Sequence, residues 1–170
     1  LFTGKVGYIV SRDLPYVAET AVTLVGNALG TLIAALLLRQ VRFFTSTVST
    51  MDVTISDRVQ ATVDGKIHDN PLSIFILAIF CGILMFTAVE GSRKCKEEKN
   101  FAGSLFVVVM PVMVFIICGF NHCIADMFYY FFAGCPEPSK AIVYFILAIA
   151  GNSVGGMIVP LLKKLSNQPL

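Results

Sequence analysis

The feature that most constrains the fold is a run of 34 residues, Phe101–Gly134, in which Asp126 is the only aspartate, glutamate, lysine or arginine. As a single helix this run would be about 50 Å long, whereas the hydrocarbon core of a bilayer is about 30 Å thick. Because Gly119 lies near its middle, we predict a helix, a break at about Cys118 to Asn121, and a second, shorter helix. Broken backbone at membrane depth is tolerated only where it lines a cavity or is buried in protein.

Three further runs without charged residues indicate that the whole chain is a membrane protein. Hydrophobic residues make up 56% of the sequence and charged residues 14%, which is too apolar for a soluble domain of 170 residues. Each run approaches the roughly 20 apolar residues that a membrane-spanning helix needs. The runs are Thr20–Leu38, Pro71–Val89 and Ala141–Leu162. We therefore predict an all-α membrane protein, in which the first complete helix begins at about Ala18.

The rest of the chain is polar or short. A short apolar piece at the N-terminus ends at Ser11 to Asp13, and residues 39–70 form a polar connection with room for a helix on the membrane surface. Lysines and arginines are denser on the predicted side that holds Arg12, Arg93, Lys94, Lys96, Lys99, Lys163 and Lys164. Short loops rich in such residues are typically cytoplasmic, which predicts a cytoplasmic C-terminus.

Two helices share a GN-x-x-G motif. Val25–Ile33 and Ala150–Ile158 align at an offset of 125 residues, and they bring Asn27 and Asn152 to equivalent positions. Ordinary packing of helices through small residues is the alternative explanation. A polar interruption precedes each motif, at Thr3 and at His122 respectively, which favours an internal duplication.

The duplication predicts a single transmembrane domain, residues 1–170, made of two halves. Residues 1–38 are the remainder of the first repeat, 39–70 the extracytoplasmic connection and 71–165 the second repeat. Three spans per half, six in all, would invert the second half relative to the first, as in transporters with a midplane site between broken helices. On this interpretation the chain lacks the first span and the first half of the second.

Two ionisable residues lie at the second break. His122 and Asp126 are four positions apart, so on a helix they share one face. One interpretation is a buried pair in which Asp126 orients a structural imidazole. The other is a pathway histidine that handles protons, because histidine titrates most readily near neutrality. The place of His122 at a helix break favours the second interpretation.

Other side chains are candidates for the walls of a pathway. Thr3 offers a hydroxyl at the first break, and helix N-termini there offer backbone amides that attract small anions. Lys66 would add positive potential at the outer mouth, although a lone lysine in a loop is commonly a solvated charge. The apolar candidates for rings that close the pathway on either side of the histidine, or for ordinary packing, are Leu1, Phe2, Met85 and Phe115.

Several classes of function are disfavoured. The net charge of +2 and the absence of basic runs with interleaved aromatics argue against nucleic-acid binding. The five cysteines lack CxxC spacing, and Cys118, His122 and Cys123 form no recognisable ligand set, so we predict neither metal nor cofactor. No nucleophile and base pair is visible apart from His122 and Asp126, which argues against an enzyme. A purely structural membrane protein would have no reason to break two helices around polar residues.

Four motifs resemble the signature motifs of the formate/nitrite transporter family, in matching order. They are Leu1–Gly4, Phe80–Met85, Gly119–Phe128 and Gly151–Gly156. The resemblance implies an aquaporin-like six-helix protomer in the cell membrane, assembled as a homopentamer, with one anion pathway through each protomer and cytoplasmic termini. It also implies that Leu1, Phe2 and Phe115 occupy constriction positions, and that Lys66 is the lysine of the outer vestibule.

The resemblance has four departures. Many members have Glu where this chain has Asn121 and Asn where it has Asp126. The vestibule asparagine of the third helix corresponds to Gly82, and a constriction valine to Met85. Related subgroups are described as channels for formate, nitrite or hydrosulfide. The expected mechanism is permeation of a weak acid, in which Lys66 attracts the anion and His122 either protonates it or senses its charge and gates.

Overall fold

A computed structural model describes residues 1–41, 47–48 and 53–166. Within them the chain is almost entirely helical, and three helices are long and apolar enough to cross a membrane: Leu14–Leu38, Pro71–Glu97 and Pro138–Leu165. The elements in order are α1 Phe2–Lys5, a 3-10 helix Val6–Ser11, α2 Leu14–Leu38, β1 Thr47–Val48, β2 Val53–Thr54, α3 Ile55–Ile67, α4 Pro71–Glu97, α5 Phe101–Ile117, α6 Cys123–Phe132 and α7 Pro138–Leu165. The predicted all-α membrane fold is confirmed, with one short antiparallel hairpin added.

The break in the long apolar run lies where the sequence predicts it, between α5 and α6. Gly119 adopts a left-handed conformation with φ +67°. Its N–H bonds to the Ile116 carbonyl at 3.2 Å, and the Phe120 N–H bonds to the Phe115 carbonyl at 2.9 Å. This pattern is a Schellman motif, which ends a helix by satisfying its last carbonyls, and glycine suits it because it has no Cβ. The glycine therefore fixes the place of the break.

Two helices are longer than predicted. The first complete span begins at Leu14 rather than Ala18, because Pro15 lies in the first turn, where its missing N–H is harmless. The helix predicted to end at Val89 continues to Glu97. Its last turns are charged, and Arg93 bonds to Glu97 at 2.6 Å one turn further on. Such pairs stabilise a helix that has left the apolar layer.

The polar connection holds the predicted surface helix, α3. It begins with a capping box, in which the Thr54 hydroxyl accepts from the Asp57 N–H and the Asp57 carboxylate accepts from the Thr54 N–H. The hydrogen bonds from Thr54 hold the pKa of Asp57 below its ordinary value. Val59, Val63 and Ile67 form the buried side of the helix. Through this face α3 packs on α6 and α7.

Helices α4 and α7 cross at very close range through glycines. A Cβ at Gly82 would collide with the backbone carbonyl of Asn152, and one at Gly155 with that of Ile79. A Cβ at Gly151 would lie 2.6 Å from the Phe75 carbonyl oxygen. Small residues of this kind let two membrane helices bring their backbones together. Gly82 is therefore a packing residue of this crossing.

We expect Gly155→Ala to lower the free energy of unfolding by about 1–3 kcal/mol or more, because the added methyl overpacks the crossing. The matched control is Gly30→Ala, at the equivalent position of the first GN-x-x-G motif. No atom of the described residues lies within 4 Å of a Cβ built at Gly30, so this change should be neutral or stabilise by up to about 1 kcal/mol. Thermal unfolding in detergent measures both. Equal effects would contradict the crossing as the cause.

At one end of the molecule, the buried Glu90 contacts residues of the 3-10 helix, α4 and α7. Its carboxylate accepts from the Tyr8 hydroxyl at 2.7 Å and from two nitrogens of Arg93 at 2.8 and 3.0 Å. Lys163 lies 3.6 Å from it. The 3-10 helix, α4 and α7 therefore end on the same side. Arg93 and Lys163 lie together there, as the charge pattern predicts.

Candidate functional site

A hydrogen bond joins α1 to the break between α5 and α6. His122 Nε2 lies 3.1 Å from Thr3 Oγ1, across 119 residues of sequence, and both residues are buried. The other ring nitrogen, Nδ1, accepts from the Ala125 N–H at 3.1 Å, so His122 is the N-cap of α6. Because a backbone N–H can only donate, the proton of a neutral ring lies on Nε2, which then donates to Thr3. The Thr3 hydroxyl proton is left to point elsewhere.

The asparagines of the two GN-x-x-G motifs each accept a hydrogen bond at the start of a short helix. Asn27 Oδ1 accepts from the Phe2 N–H at 3.0 Å, at the start of α1. Asn152 Oδ1 accepts from the Cys123 N–H at 2.9 Å, at the start of α6. Each asparagine thus satisfies an amide that has no partner within its own helix.

Asn152 does more than its counterpart. Its Nδ2 donates to the carbonyls of Ala78 and Asn121, both at 2.8 Å. It is fully buried and binds α4, the break and α6 at once. The Asn121 carbonyl and the Cys123 amide, which lie outside the regular hydrogen bonding of a helix, are both bonded to this one side chain.

The backbone amides at the start of α6 are largely occupied. The sequence predicts free amides that attract anions, but the Cys123 N–H donates to Asn152 and the Ala125 N–H to His122. At these two positions the expectation is wrong. Side chains of the protein itself already fill the places that an anion would take.

A second polar group lies beside the break and centres on Lys66. Its Nζ donates to Asn121 Oδ1 at 2.7 Å and lies 3.2 Å from Asp126 Oδ1. The other oxygen of Asp126 accepts from the Tyr144 hydroxyl at 2.6 Å. Asp126 and Tyr144 are buried, whereas the Lys66 side chain is 19% exposed. Three helices, α3, α6 and α7, thus meet in one network.

These partners differ from those that the sequence predicts for Asp126. Its carboxylate contacts Lys66 and Tyr144, rather than holding the His122 ring. The two residues share a helix face as predicted, and the Asp126 N–H bonds to the His122 carbonyl. The ring, however, is held by Thr3 and by the backbone of Ala125. Lys66 is thereby part of a buried ion pair and is not a solvated loop charge.

A cavity of about 350 Å³ opens beside this network. Phe115 lies between the cavity and the histidine, since its ring stacks on that of His122 with centroids 5.3 Å apart. Phe120 lines the cavity and stacks on Phe80 at 5.8 Å. The lining residues are Arg58, Val59, Thr62, Lys66, Phe115, Ile116, Gly119, Phe120, Ala125, Asp126 and Tyr129.

The other apolar candidates lie in different surroundings. Phe2 and Met85 are buried in the core, whereas Leu1 is 63% exposed. Gly82 lies at the crossing of α4 and α7, where a side chain of any size collides with Asn152, so no vestibule side chain fits there. The structure thus brings Thr3, His122, Asn121 and Lys66 into one region and leaves Leu1 outside it.

Tyr144 is the site residue that the sequence does not single out. It is a hydroxyl inside an apolar span, and that signal could have found it, because buried tyrosines normally need a hydrogen-bond partner. The bond of Asn121 to Lys66 is also missing from the sequence prediction, and here no signal could have found it. Its partner comes from α3, whose position on α6 no local pattern shows.

One exposed cluster has the residue types of a metal site. Asp64, His68 and Glu137 bring three potential ligand atoms within 4.8 Å of one another. Lys140 contacts both His68 and Glu137 there, and its bond holds the pKa of Glu137 below its ordinary value. The ammonium thus supplies positive charge where a metal ion would.

Comparison with known proteins gives a family for the chain. A model of the formate/nitrite transporter family matches residues 9–164. The formate channel FocA of Haemophilus influenzae is 37% identical over 70 residues, which are 41% of this chain and 24% of that protein. The formate channel BtFdhC of Bacillus thuringiensis is 28% identical over 103 residues, 59% of this chain and 39% of that protein. The formate channel FocA of Escherichia coli is 26% identical over 130 residues, 75% and 45% respectively. The chain spans less than half of the length of each of these relatives.

Proposed function

We propose that this chain, which belongs to the formate/nitrite transporter family, forms a membrane pathway for small monovalent anions of weak acids, with formate and nitrite as the first candidates. The observation that carries the proposal is the bond between Thr3 and His122. It joins α1 to the break between α5 and α6 in a region that is otherwise apolar, next to a cavity that is lined by a lysine. Broken, polar backbone of this kind is stable at membrane depth only when it serves a cavity or is buried.

The proposed architecture is an aquaporin-like inverted repeat. Residues 1–38 and 71–165 belong to the two repeats, and 39–70 connect them. Support comes from the two asparagines, since Asn27 and Asn152 occupy equivalent motif positions and each accepts from the first amide of a half-helix. Two halves of one pathway would meet where Thr3 meets His122. Midplane sites between broken helices are typical of such repeats.

The proposed pathway runs from the cavity toward the histidine. An anion enters beside Lys66, whose charge attracts it, and then meets the Phe115 ring that covers His122. Beyond the ring the Thr3 hydroxyl is available to donate a hydrogen bond. Phe2 and Met85 would form the apolar walls on the far side. A bare anion crossing such walls would be strongly disfavoured by desolvation, so a neutral acid is the species that crosses them.

For His122 we propose gating rather than donation of the proton. Its Nδ1 accepts from the Ala125 amide and its Nε2 proton donates to Thr3, so the neutral ring is satisfied on both sides. An additional proton on Nδ1 would face the Ala125 N–H, and two donors repel. A charged ring would therefore have to leave its place at the start of α6. That movement would change the shape of the pathway beside the ring. The position of the ring would thus respond to its own charge.

The second candidate anion is hydrosulfide, which related subgroups of the family are described as carrying. We keep this alternative because Asn121 stands where many family members have a glutamate. Asn121 contacts Lys66 directly, so this replacement changes the charge beside the lysine that attracts the anion. The other classes have less support. The relatives are described as channels and transporters rather than enzymes. A structural protein would not need the network around Lys66.

The setting that we propose is a homopentamer in the cell membrane with the C-terminus in the cytoplasm. Exposed apolar side chains such as Val22 and Leu29 on α2 suit contact with lipid or with another protomer. The orientation is supported by the basic end of the molecule. There Arg93 and Lys163 surround Glu90, as expected for the positive cytoplasmic side.

Uptake into proteoliposomes tests the proposal. We expect the full chain to accelerate uptake of formate, nitrite or hydrosulfide over protein-free liposomes in stopped-flow measurements. Thr3→Val keeps the side-chain shape but removes the hydroxyl, and should lower uptake by about 10-fold or more, because a hydrogen bond to an anion contributes about 1.5–3 kcal/mol. Thr3→Ser keeps the hydroxyl and should retain most of the uptake. Absence of uptake of all three anions would refute the transport function.

A further inference from the structure

The cation at the entrance of the pathway is paired with a buried acid. Lys66 has three donor hydrogens, and Asn121 and Asp126 account for two of them. Lys66 and Asp126 both line the cavity, so the third can be offered to an anion that enters it. While Asp126 is ionised, the pair has no net charge.

An incoming anion therefore competes with Asp126 for the charge of Lys66. An anion bound at the third donor would lie within a few ångströms of the Asp126 carboxylate, in a site walled by Phe115 and Phe120. Like charges at such separation repel strongly when little water screens them. If Asp126 takes up a proton, the repulsion disappears and the positive charge of Lys66 becomes available.

We propose that Asp126 is the residue that couples the permeating anion to a proton: the anion binds at Lys66 as Asp126 is protonated, so that one negative and one positive charge enter the site together. The proton comes from the external solution through the cavity, and it adds to one carboxylate oxygen without breaking any other bond. This inference rests on the proposed anion pathway and specifies its charge balance. Binding of anion and of proton then strengthen each other equally, as linkage requires.

The neighbours of Asp126 suit this role. The Tyr144 hydroxyl donates to the oxygen that does not face Lys66, and it can remain in place in either protonation state. His122 is a poorer holder of the proton, because both of its ring nitrogens are occupied. The titratable and charged groups that face Asp126 from the surrounding helices are Lys66 and Arg58 on α3, Cys81 on α4, His122 and Cys123 beside it on α6, and Tyr144 on α7.

The test compares the apparent KM for formate at external pH 5.5 and 7.5, at both of which formate itself stays ionised. Proteoliposomes contain the full chain, and uptake by protein-free liposomes is subtracted. In the unaltered protein we expect the KM to be about tenfold or more lower at the acid pH, because one proton is taken up with each anion. In Asp126→Asn the charge of Lys66 is permanently available, so the KM should be low and the same at both pH values.

Two further variants keep the test decisive. Asp64→Asn removes an exposed carboxylate from the same helix as Lys66 and should leave the pH dependence of KM unchanged. Tyr144→Phe keeps both charges but removes the donor that stabilises the ionised carboxylate, so the pH dependence should persist and move about one unit toward higher pH. This second variant answers the question if Asp126→Asn does not give monodisperse protein, since an unshifted profile contradicts the proposal.

The possible failures are distinguishable. If the unaltered chain takes up no formate, nitrite or hydrosulfide, the proposed transport function falls, and the coupling role falls with it. If the chain does transport and Asp126→Asn keeps the pH dependence of the unaltered protein, the coupling role alone is overturned. Formic acid from the bulk solution would then be the permeating species.

Discussion

Replacement of His122 by asparagine should reduce formate uptake by about tenfold or more while costing the protein only about 1 kcal/mol of stability. Asparagine is among the best N-cap residues, so it can accept from the backbone of α6 as Nδ1 now does. Its side chain is too short to reach Thr3, and it does not titrate. The bond to Thr3 is lost, and the cap is kept.

Alanine at the same position is the matched control. His122→Ala loses both the cap and the bond to Thr3, which together should lower the free energy of unfolding by about 2 kcal/mol. Uptake should be as low as in the asparagine variant. Stopped-flow uptake and thermal unfolding in detergent separate the two effects. If asparagine restored uptake to the level of the unaltered protein, His122 would only cap α6 and the gating role would be wrong.

The position of the site could be predicted because its signals are local. A run that is too long for one span must break, and Gly119 takes the left-handed conformation that ends α5. Polar side chains in an apolar run need hydrogen-bond partners, and Thr3 and His122 are hydrogen-bonded to each other. Periodicity and span length are sufficient for such predictions, because the bilayer itself sets the length of a helix.

The partners within the site could not be predicted in the same way. Sequence spacing places Asp126 beside His122 on one helix face, but the carboxylate is drawn to Lys66 from α3 and to Tyr144 from α7. An ammonium and a phenol are stronger partners for a buried carboxylate than the His122 ring, whose two nitrogens already have hydrogen-bond partners. Which helix brings them is a property of tertiary packing. The end of α4 differs from the prediction for another reason. Its charged last turns form ion pairs with one another, so the helix continues after the apolar run ends.

The departures from the family pattern acquire a physical meaning. Asn121 and Asp126 both contact Lys66, so a change at either position alters the charge that an anion meets first. Gly82 has a different consequence, because it permits the backbone of α4 to approach Asn152 on α7. The first two changes would affect the proposed pathway, and the third affects the scaffold that holds Asn152 in place.

That scaffold gives the largest stability effect that we expect, from Asn152→Ala. The change removes an acceptor from the Cys123 amide and two donors from the carbonyls of Ala78 and Asn121, all in a fully buried position. The Ala78 carbonyl keeps its bond within α4, but the Cys123 amide and the Asn121 carbonyl are left without this partner. A buried polar group left without a partner costs about 1–3 kcal/mol, so the loss should be about 3 kcal/mol. The midpoint of thermal unfolding in detergent should fall by about 6–12 °C for a chain of this size.

Asn27→Ala is the matched control, because it removes one acceptor at the equivalent motif position. Only the Phe2 amide is affected, and Asn27 is partly exposed, so the cost should be about 1 kcal/mol. A further variant, Asn152→Asp, keeps the acceptor for Cys123 but turns a carboxylate oxygen toward two carbonyl acceptors in a fully buried position, so it should be at least as destabilising as Asn152→Ala. If Asn27→Ala and Asn152→Ala were equally destabilising, the extra bonds of Asn152 to α4 and to the break would contribute nothing. The region around Asn121 would then be held by the bonds of its own side chain to Lys66 and Ile74 and by the glycine crossing.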